Sequence, residues 1–486
     1  MPNKHFITLC AALSSTALSS TAAAVQTKSQ PNIIFILVDD MGYGELSCYH
    51  AKTKTPTPNL DALAQSGVRM TQAYASPVSS PTRASFLTGY FPQNVGVFGN
   101  GDGTSPGIGP MRPCFVNQLK AGGYNTAWFG KWHQGWDVSN HPINNGFDTT
   151  YGFLGGMHDF FDATEGSHYV GGPFAKNCYL FDGIKPVTEM KYLTEELTDR
   201  AVSFINKQRK EKPFHIYLAY NAPHTPLQAP DDAILKYLKM GYEPLEATRY
   251  AMMDVLDAQV GRVIKAVSDK AMREETLIVF MSDNGPETEN FSGELRGKKM
   301  TAWEGGIRVP MIASMPGTIP AGTTSESICS IVDMASTFIG LEKGDNNYQY
   351  GDGVNLMPYF SGTKKGNAHD NLVFSVHLSG KPFATPTPEK LKLFAVRMGD
   401  WKLVVDNGRK VNALYNLKND LSEQHDLSDE YAEKKAALME YGRTFLSKST
   451  PASSKIRGIN TRIDGDTIKK YELIDHCDKL MKTYKK

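Results

Sequence analysis

Cysteine is scarce in this chain, six among 486 residues. Cys10 lies near the N-terminus, while Cys48, Cys114, Cys178, Cys329 and Cys477 are scattered along the rest. No spacing among them builds a zinc site or a dense disulfide framework. One or two bridges remain open, but the fold does not depend on them. An excess of charge of either sign is also missing. The 52 basic side chains meet 51 acidic ones, for a formal net charge of +1. Nucleic-acid binders carry a basic excess, so that class is set aside. An anionic ligand has to be met by a local cluster of cations, not by the field of the whole molecule. No apolar run is long enough to span a bilayer, and there is no internal repeat or long low-complexity tract. What remains is 41% hydrophobic, enough for one large domain and a smaller one.

Residues 1–24 read as a signal peptide. Lys4 supplies positive charge, Phe6 to Leu13 form a short apolar run, and Ala22-Ala23-Ala24 offers a cleavage site. The mature protein is then expected to be exported, periplasmic or secreted, with no membrane span. Cys10 leaves a lipoprotein anchor as the alternative, disfavoured by the bulky Leu9 before it.

Over the first 310 or so residues one pattern recurs. A helix leads into a short apolar run, and the run ends in polar, reactive residue types. Ile33 to Val38 is apolar and β-branched, reads as a strand buried on both faces, and ends at Asp39-Asp40. A helix around Leu119 leads through Gly122-Gly123 to Thr126–Phe129, which ends at Lys131-Trp132-His133. A helix from Leu193 to Ile205 leads to His215–Ala219, ending at Asn221-Ala222-Pro223-His224. A long helix with Met252, Val255, Leu256, Val260, Val263 and Val267 on one stripe leads to Leu277–Met281, ending at Asp283-Asn284-Gly285. Such units predict a mostly parallel sheet covered by helices on both faces, with ligands bound beyond the carboxyl ends of the strands. Asp, Asn and Gly favour turns anyway, but a turn does not account for all four endings together. From about residue 370 the texture changes to short strands (Leu372–Val376, Phe394–Arg397, Trp401–Val405, Ala413–Tyr415), with a hairpin signal at Asn407-Gly408 and a helix from Glu430 to Leu446. The expected division is a catalytic α/β domain over residues 25–369 and a C-terminal α+β subdomain with an antiparallel sheet over 370–486.

Between these lies Ser79-Ser80-Pro81-Thr82-Arg83-Ala84-Ser85-Phe86-Leu87-Thr88-Gly89. Pro81 suits the first turn of a helix, so Ser79 falls at a helix N-terminus, where negative charge is favoured. Taken alone, Ser79 is simply an N-cap. Asp39, Asp40, Asp283 and Asn284 form an all-oxygen donor set, suited to Ca²⁺ or Mg²⁺ and not to zinc.

Ser79-x-Pro81-x-Arg83 with Leu87-Thr88-Gly89 resembles the signature of the type I sulfatase family, in the serine form of a motif that more often begins with Cys. The resemblance continues through Val38-Asp39-Asp40-Met41-Gly42-Tyr43-Gly44, Gly130-Lys131-Trp132-His133, Asn221-Ala222-Pro223-His224-Thr225-Pro226, Ser282-Asp283-Asn284-Gly285 and Trp303-Glu304-Gly305-Gly306-Ile307-Arg308-Val309-Pro310. It implies an alkaline-phosphatase-like fold and hydrolysis of a sulfate monoester. It implies oxidation of Ser79 to formylglycine by a maturation enzyme before export. It implies one Ca²⁺ held by Asp39, Asp40, Asp283, Asn284 and the modified Ser79. One hydroxyl of the hydrated aldehyde would attack sulfur, and the other would then expel sulfate. Arg83, Lys131 and His133 match residues that orient this group. His224 matches the histidine near the scissile oxygen, a general acid. Lys299 matches the sulfate-binding lysine, with Lys298 beside it as the alternative.

For the sugar the sequence offers less. His158 and Asp159, in Gly155-Gly156-Met157-His158-Asp159-Phe160-Phe161-Asp162, and His168 could bond hydroxyls, and His377 and Arg397 could close the pocket from the C-terminal side. Each is equally at home in a structural role. The expected substrate is a sulfated galactose or N-acetylhexosamine unit of a glycan, attacked from a chain end. Two rivals stand beside this reading. One is a phosphatase or phosphodiesterase of the same superfamily, which would use paired zinc ions and several His ligands. The other is a non-catalytic glycan-binding homologue, which would have lost the reactive set.

Overall fold

The structure, a computed structural model, describes residues 30–100, 108, 113–135, 140–165, 179–377 and 386–450. The N-terminal segment expected as a signal peptide, His168, Cys178 and Cys477 lie outside the described residues. Cys48, Cys114 and Cys329 are unbridged.

One sheet organises the chain. In chain order its strands are β1 (Asn32–Val38), β2 (Val68–Tyr74), β3 (Asn125–Lys131), β4 (Thr149–Phe153), β5 (Leu180–Asp182), β6 (Lys185–Val187), β7 (Phe214–Ala219), β8 (Thr276–Ser282), β9 (Arg308–Ser314), β10 (Thr323–Ser325) and β11 (Cys329–Ser330). The spatial order is β10-β2-β9-β8-β1-β7-β3-β4-β5-β6, with β11 also on β2. From β8 to β4 every neighbour is parallel. The central four strands, β8, β1, β7 and β3, are those whose endings carry the reactive residues. Register brings their ends level: Leu37 pairs with Ala219, Val38 with Ser282, and Gly130 with Ala219.

β1 is apolar at every position after Asn32 because both its faces are covered. Ile34, Ile36 and Val38 pack under α1 (Pro58–Gln65), α4 (Leu193–Lys207) and α6 (Pro244–Asp269). Ile33, Phe35 and Leu37 pack under α2 (Ser79–Thr88), α3 (Val116–Ala121) and α8 (Asp333–Lys343). The remaining short helices are α5 (Asp231–Lys239), α7 (Glu304–Ile307) and α9 (Met357–Phe360), of which α7 is wholly buried, and β12 (Gln349–Tyr350) and β13 (Gly353–Val354) form a two-stranded ribbon. The C-terminal antiparallel sheet runs β14 (Asn371–Val376), β15 (Leu393–Met398), β16 (Trp401–Asp406), β17 (Val411–Asn416). One of its faces takes α10 (Ala432–Ser447) through Leu438 and Leu446. The other packs on Tyr74, Val78, Trp303 and Ile307 of the catalytic layer.

Two features go beyond the sequence reading. β9 runs antiparallel into the sheet although Pro310 lies within it. Proline has no N–H to give to a ladder, and it sits where β2 slips register between Met70 and Ala73. The Asn407-Gly408 turn is longer than a two-residue hairpin, since the last pair is Asp406 with Val411.

Candidate active site

Ser79 opens α2 directly, as its first residue. Its Oγ donates to Asp283 Oδ2 at 2.6 Å and accepts from Arg83 Nε at 2.9 Å. Arg83 follows one helical turn later, so its guanidinium lies over the same spot. It also reaches Asp283 Oδ2 through Nη2 at 2.8 Å, and Nη1 holds the Lys131 carbonyl at 3.1 Å. Lys131, the last residue of β3, donates to Asp39 Oδ2. Lys299 reaches in from a loop and donates to Asp40 Oδ2 at 2.7 Å. His224 Nε2 stands 3.6 Å from that same oxygen. Its Nδ1 meets the Thr225 carbonyl at 2.6 Å, which places the ring proton on Nδ1 and leaves Nε2 open to the cleft. His133 is half-buried at φ 56°, against Gly156, where a Cβ would lie 2.9 Å from Nε2. Segments far apart in the chain thus meet around Ser79, and His224 and Lys299 connect this cluster to a cleft of about 830 Å³ that they help to line.

The floor carries the carboxylates of Asp39, Asp40 and Asp283 and the cations of Arg83, Lys131 and Lys299. Burial, and then the neighbouring Asp283, push the Asp39 carboxyl well above its ordinary range. Burial acts the same way on Asp40, but Lys299, His224 and Lys131 more than offset it and hold it low. Burial, with Lys299 next, drops His224 to about 3, and burial with Lys131 and Arg83 takes His133 well below its usual value. Both imidazoles are therefore neutral near pH 7. Two oxygens, Asp39 Oδ1 and Asn284 Oδ1, are buried without a hydrogen-bond partner. A crowded carboxylate and two orphaned oxygens are what a hard cation would relieve. The donor set read from sequence therefore fits a calcium-type ion. Asp39, Asp40 and His224 also bring ligand atoms within 4.8 Å of one another. The orphaned Asn284 oxygen favours the all-oxygen set over one that includes the imidazole.

Residues 31–344 match the sequence model of the sulfatase family. The chain belongs to the sulfatase family. It is 34% identical to human arylsulfatase A, over 79% of this chain and 76% of that one. It is 28% identical to the uncharacterized sulfatase YdeN of Escherichia coli, over 90% and 89%. Among solved structures it resembles Ps i-CgsB in complex with k-i-k-neocarrahexaose, at TM-score 0.77 and 30% identity, covering 94% of this chain and 100% of that one. This sulfatase is accordingly a sulfuric ester hydrolase.

The substrate candidates from sequence scatter. His158 is fully buried, its Nδ1 on the Asp159 carbonyl. Asp159 caps its own loop, accepting from the N–H groups of Phe161 and Asp162 and from Gln228 Nε2. Arg397 does not close this pocket. It lies buried in the sheet interface, bonded to the Tyr74 hydroxyl, Gln72 and the Gly399 carbonyl. The face of β15 on which it stands is turned to the catalytic layer and not to the cleft. His377 does come near the rim, its N–H on the Phe98 carbonyl beside the cleft residue Asn100. Lys299, not Lys298, is the lysine on the acidic floor.

The sulfatase also uses residues that sequence reading passed over. Arg249 of α6 is buried and donates to the Asp40 carbonyl at 2.7 Å, to the Pro223 carbonyl at 3.0 Å and to Glu45. It ties the Asp40 and His224 loops together, which lets Asp40 keep a left-handed φ of 64°. Its signal was weak: one arginine on a helix whose solvent face is already charged.

Proposed function

We propose that this sulfatase is exported and removes a sulfate monoester from a glycan, with Ser79 matured to formylglycine and one Ca²⁺ held by Asp39, Asp40, Asp283, Asn284 and residue 79. The observation that carries this is Ser79 Oγ, gripped between Asp283 and Arg83 at the meeting point of four strand ends. The calcium ion would neutralise sulfate oxygens as a Lewis acid, and the hydrated aldehyde would supply an attacking hydroxyl stronger than serine's. The protein's own side chains do the rest. Arg83 orients residue 79 through a fork fixed on Asp283. Lys131 sets positive charge against Asp39, and Lys299 against Asp40. His224 Nε2 faces the cleft, where it can carry a proton to the departing sugar oxygen. Burial, and after it the Lys299 field, keeps this ring neutral, and a bound sulfate would offset the second of these. The glycan assignment leans on the carbohydrate held by Ps i-CgsB.

The test is to make the protein with and without a serine-type maturation enzyme. Mass spectrometry of the peptide containing Ser79 is then set against hydrolysis of para-nitrophenyl sulfate and of sulfated oligosaccharides. Activity should track the oxidised fraction. Full turnover by protein carrying plain serine would refute the mechanism.

A further inference from the structure

The cleft is lined by four cations, Lys298, Lys299, Lys392 and Arg409, against two carboxylates, Glu287 and Asp406. Lys299 is committed to Asp40, and Arg409 to Asp406 at 2.8 Å. Two further lysines line the same cleft, Lys298 and Lys392. Among the described residues neither side chain makes an ion pair or hydrogen bond, whereas Lys299 and Arg409 are paired. They come from separate parts of the fold. Lys298 is next to the floor lysine and has its backbone fixed by Thr301, its N–H on Oγ1 at 3.1 Å and its carbonyl accepting from that hydroxyl at 2.6 Å. Lys392 leads into β15, with its N–H on the Val376 carbonyl and its own carbonyl accepting from Asn407. The backbone of both is anchored while the ammonium groups are free to take an anion. Asn100 and Met157 are uncharged members of the same wall, and the cleft's two carboxylates are engaged, Glu287 by the Thr225 hydroxyl at 3.2 Å and Asp406 by Arg409.

On the reading of this cleft as a sulfate-ester site, we propose that Lys298 and Lys392 form a second anion subsite, so that the preferred substrate is a saccharide bearing another anionic group, a sulfate or a carboxylate, near the sulfate that is removed. Lys299 serves the scissile sulfate and the outer pair serves its neighbour. A saccharide with a single sulfate leaves the outer pair unused.

Protein with plain Ser79 is expected to bind without turnover, which allows a direct measurement. Calorimetry would compare a galactan disaccharide sulfated once with the same disaccharide sulfated twice, for wild type, Lys298→Gln and Lys392→Gln. The expected result is binding about tenfold tighter for the doubly sulfated sugar, the size of one charge-assisted contact. Each substitution should remove most of that preference and leave the singly sulfated sugar within about twofold. Equal affinity of wild type for the two sugars, or a preference that survives both substitutions, would overturn the proposal. Hydrolysis of para-nitrophenyl sulfate by matured enzyme, which needs no second anion, reports separately on the sulfatase chemistry.

Discussion

Asp39 and Asp283 share a fully buried floor with Arg83 and Lys131, and the surplus repulsion falls on Asp39. Its neutral isostere should therefore behave unusually. In chelator, Asp39→Asn is expected to melt no lower than wild type, because a crowded buried charge is gone. With calcium added, wild type should gain stability, about 2.7 kcal/mol at a hundredfold excess over Kd, and the variant should gain far less. Thermal melts with and without calcium measure both halves, and an equal calcium gain in the two proteins would remove Asp39 from the ligand set. Asp39, Asp283 and Ser79 were readable in the sequence because each follows a recognisable element, a buried strand or a helix start. Arg249 and Glu45 were not, because a buried ion pair between a helix face and a loop has no local pattern. Asp159 and Arg397 misled for the opposite reason. A polar residue near the site in sequence is as readily spent on a loop cap or a domain joint.

At the scale of elements, the apolar runs of β1, β3, β7 and β8 were legible because strands covered on both faces are apolar at nearly every position. β2 and β9 were harder, one carrying Arg69, Thr71 and Gln72 at partly exposed positions and the other a proline. How closely the central strands approach one another is written in Gly130. It has φ 115°, and a Cβ there would lie 1.9 Å from the Ala219 carbonyl oxygen of β7. Gly123 also has a left-handed φ, 97°, but nothing lies within 4 Å of its Cβ position. Gly123→Ala should therefore lose only backbone strain, about 1–2 kcal/mol. Gly130→Ala must in addition part β3 from β7, displacing Lys131 and His133. Urea denaturation of both variants reads the difference. The expected order is a modest drop in midpoint for Gly123→Ala and a severe drop, with loss of hydrolysis, for Gly130→Ala. Similar midpoints would mean that the strands can yield.

Across the whole molecule, the C-terminal sheet is fastened to the catalytic layer by a buried charged joint. Lys402 of β16 contacts Glu304 at 2.7 Å and Glu423 at 2.9 Å, all three side chains almost fully buried. Glu304 belongs to the Trp303–Pro310 motif, also takes the Tyr74 hydroxyl at 2.7 Å, and gives its own N–H to Glu423 Oε2 at 2.7 Å. Sequence reading marked that motif without seeing that its glutamate joins the two sheets. One lysine serves two carboxylates, and they divide its field unequally. Burial works against the charged form of Glu304, but Lys402, Arg308 and Arg397 hold it down to about 2. Burial, with Glu304 adding to it against Lys402, pushes Glu423 from its ordinary 4.5 up to about 7. Between pH 4.5 and about 7 the folded protein holds a proton on Glu423 that the unfolded chain has released. Stability from this group is thus present at the acid end and is lost as pH rises through the window, at no more than about 1.4 kcal/mol per pH unit. Glu423→Gln fixes the uncharged form and removes the dependence. The melting temperature of the variant relative to wild type should rise steadily across that window and level off above it. A difference that stays flat with pH would show that Lys402 keeps both glutamates ionised, and that the joint is held by charge alone.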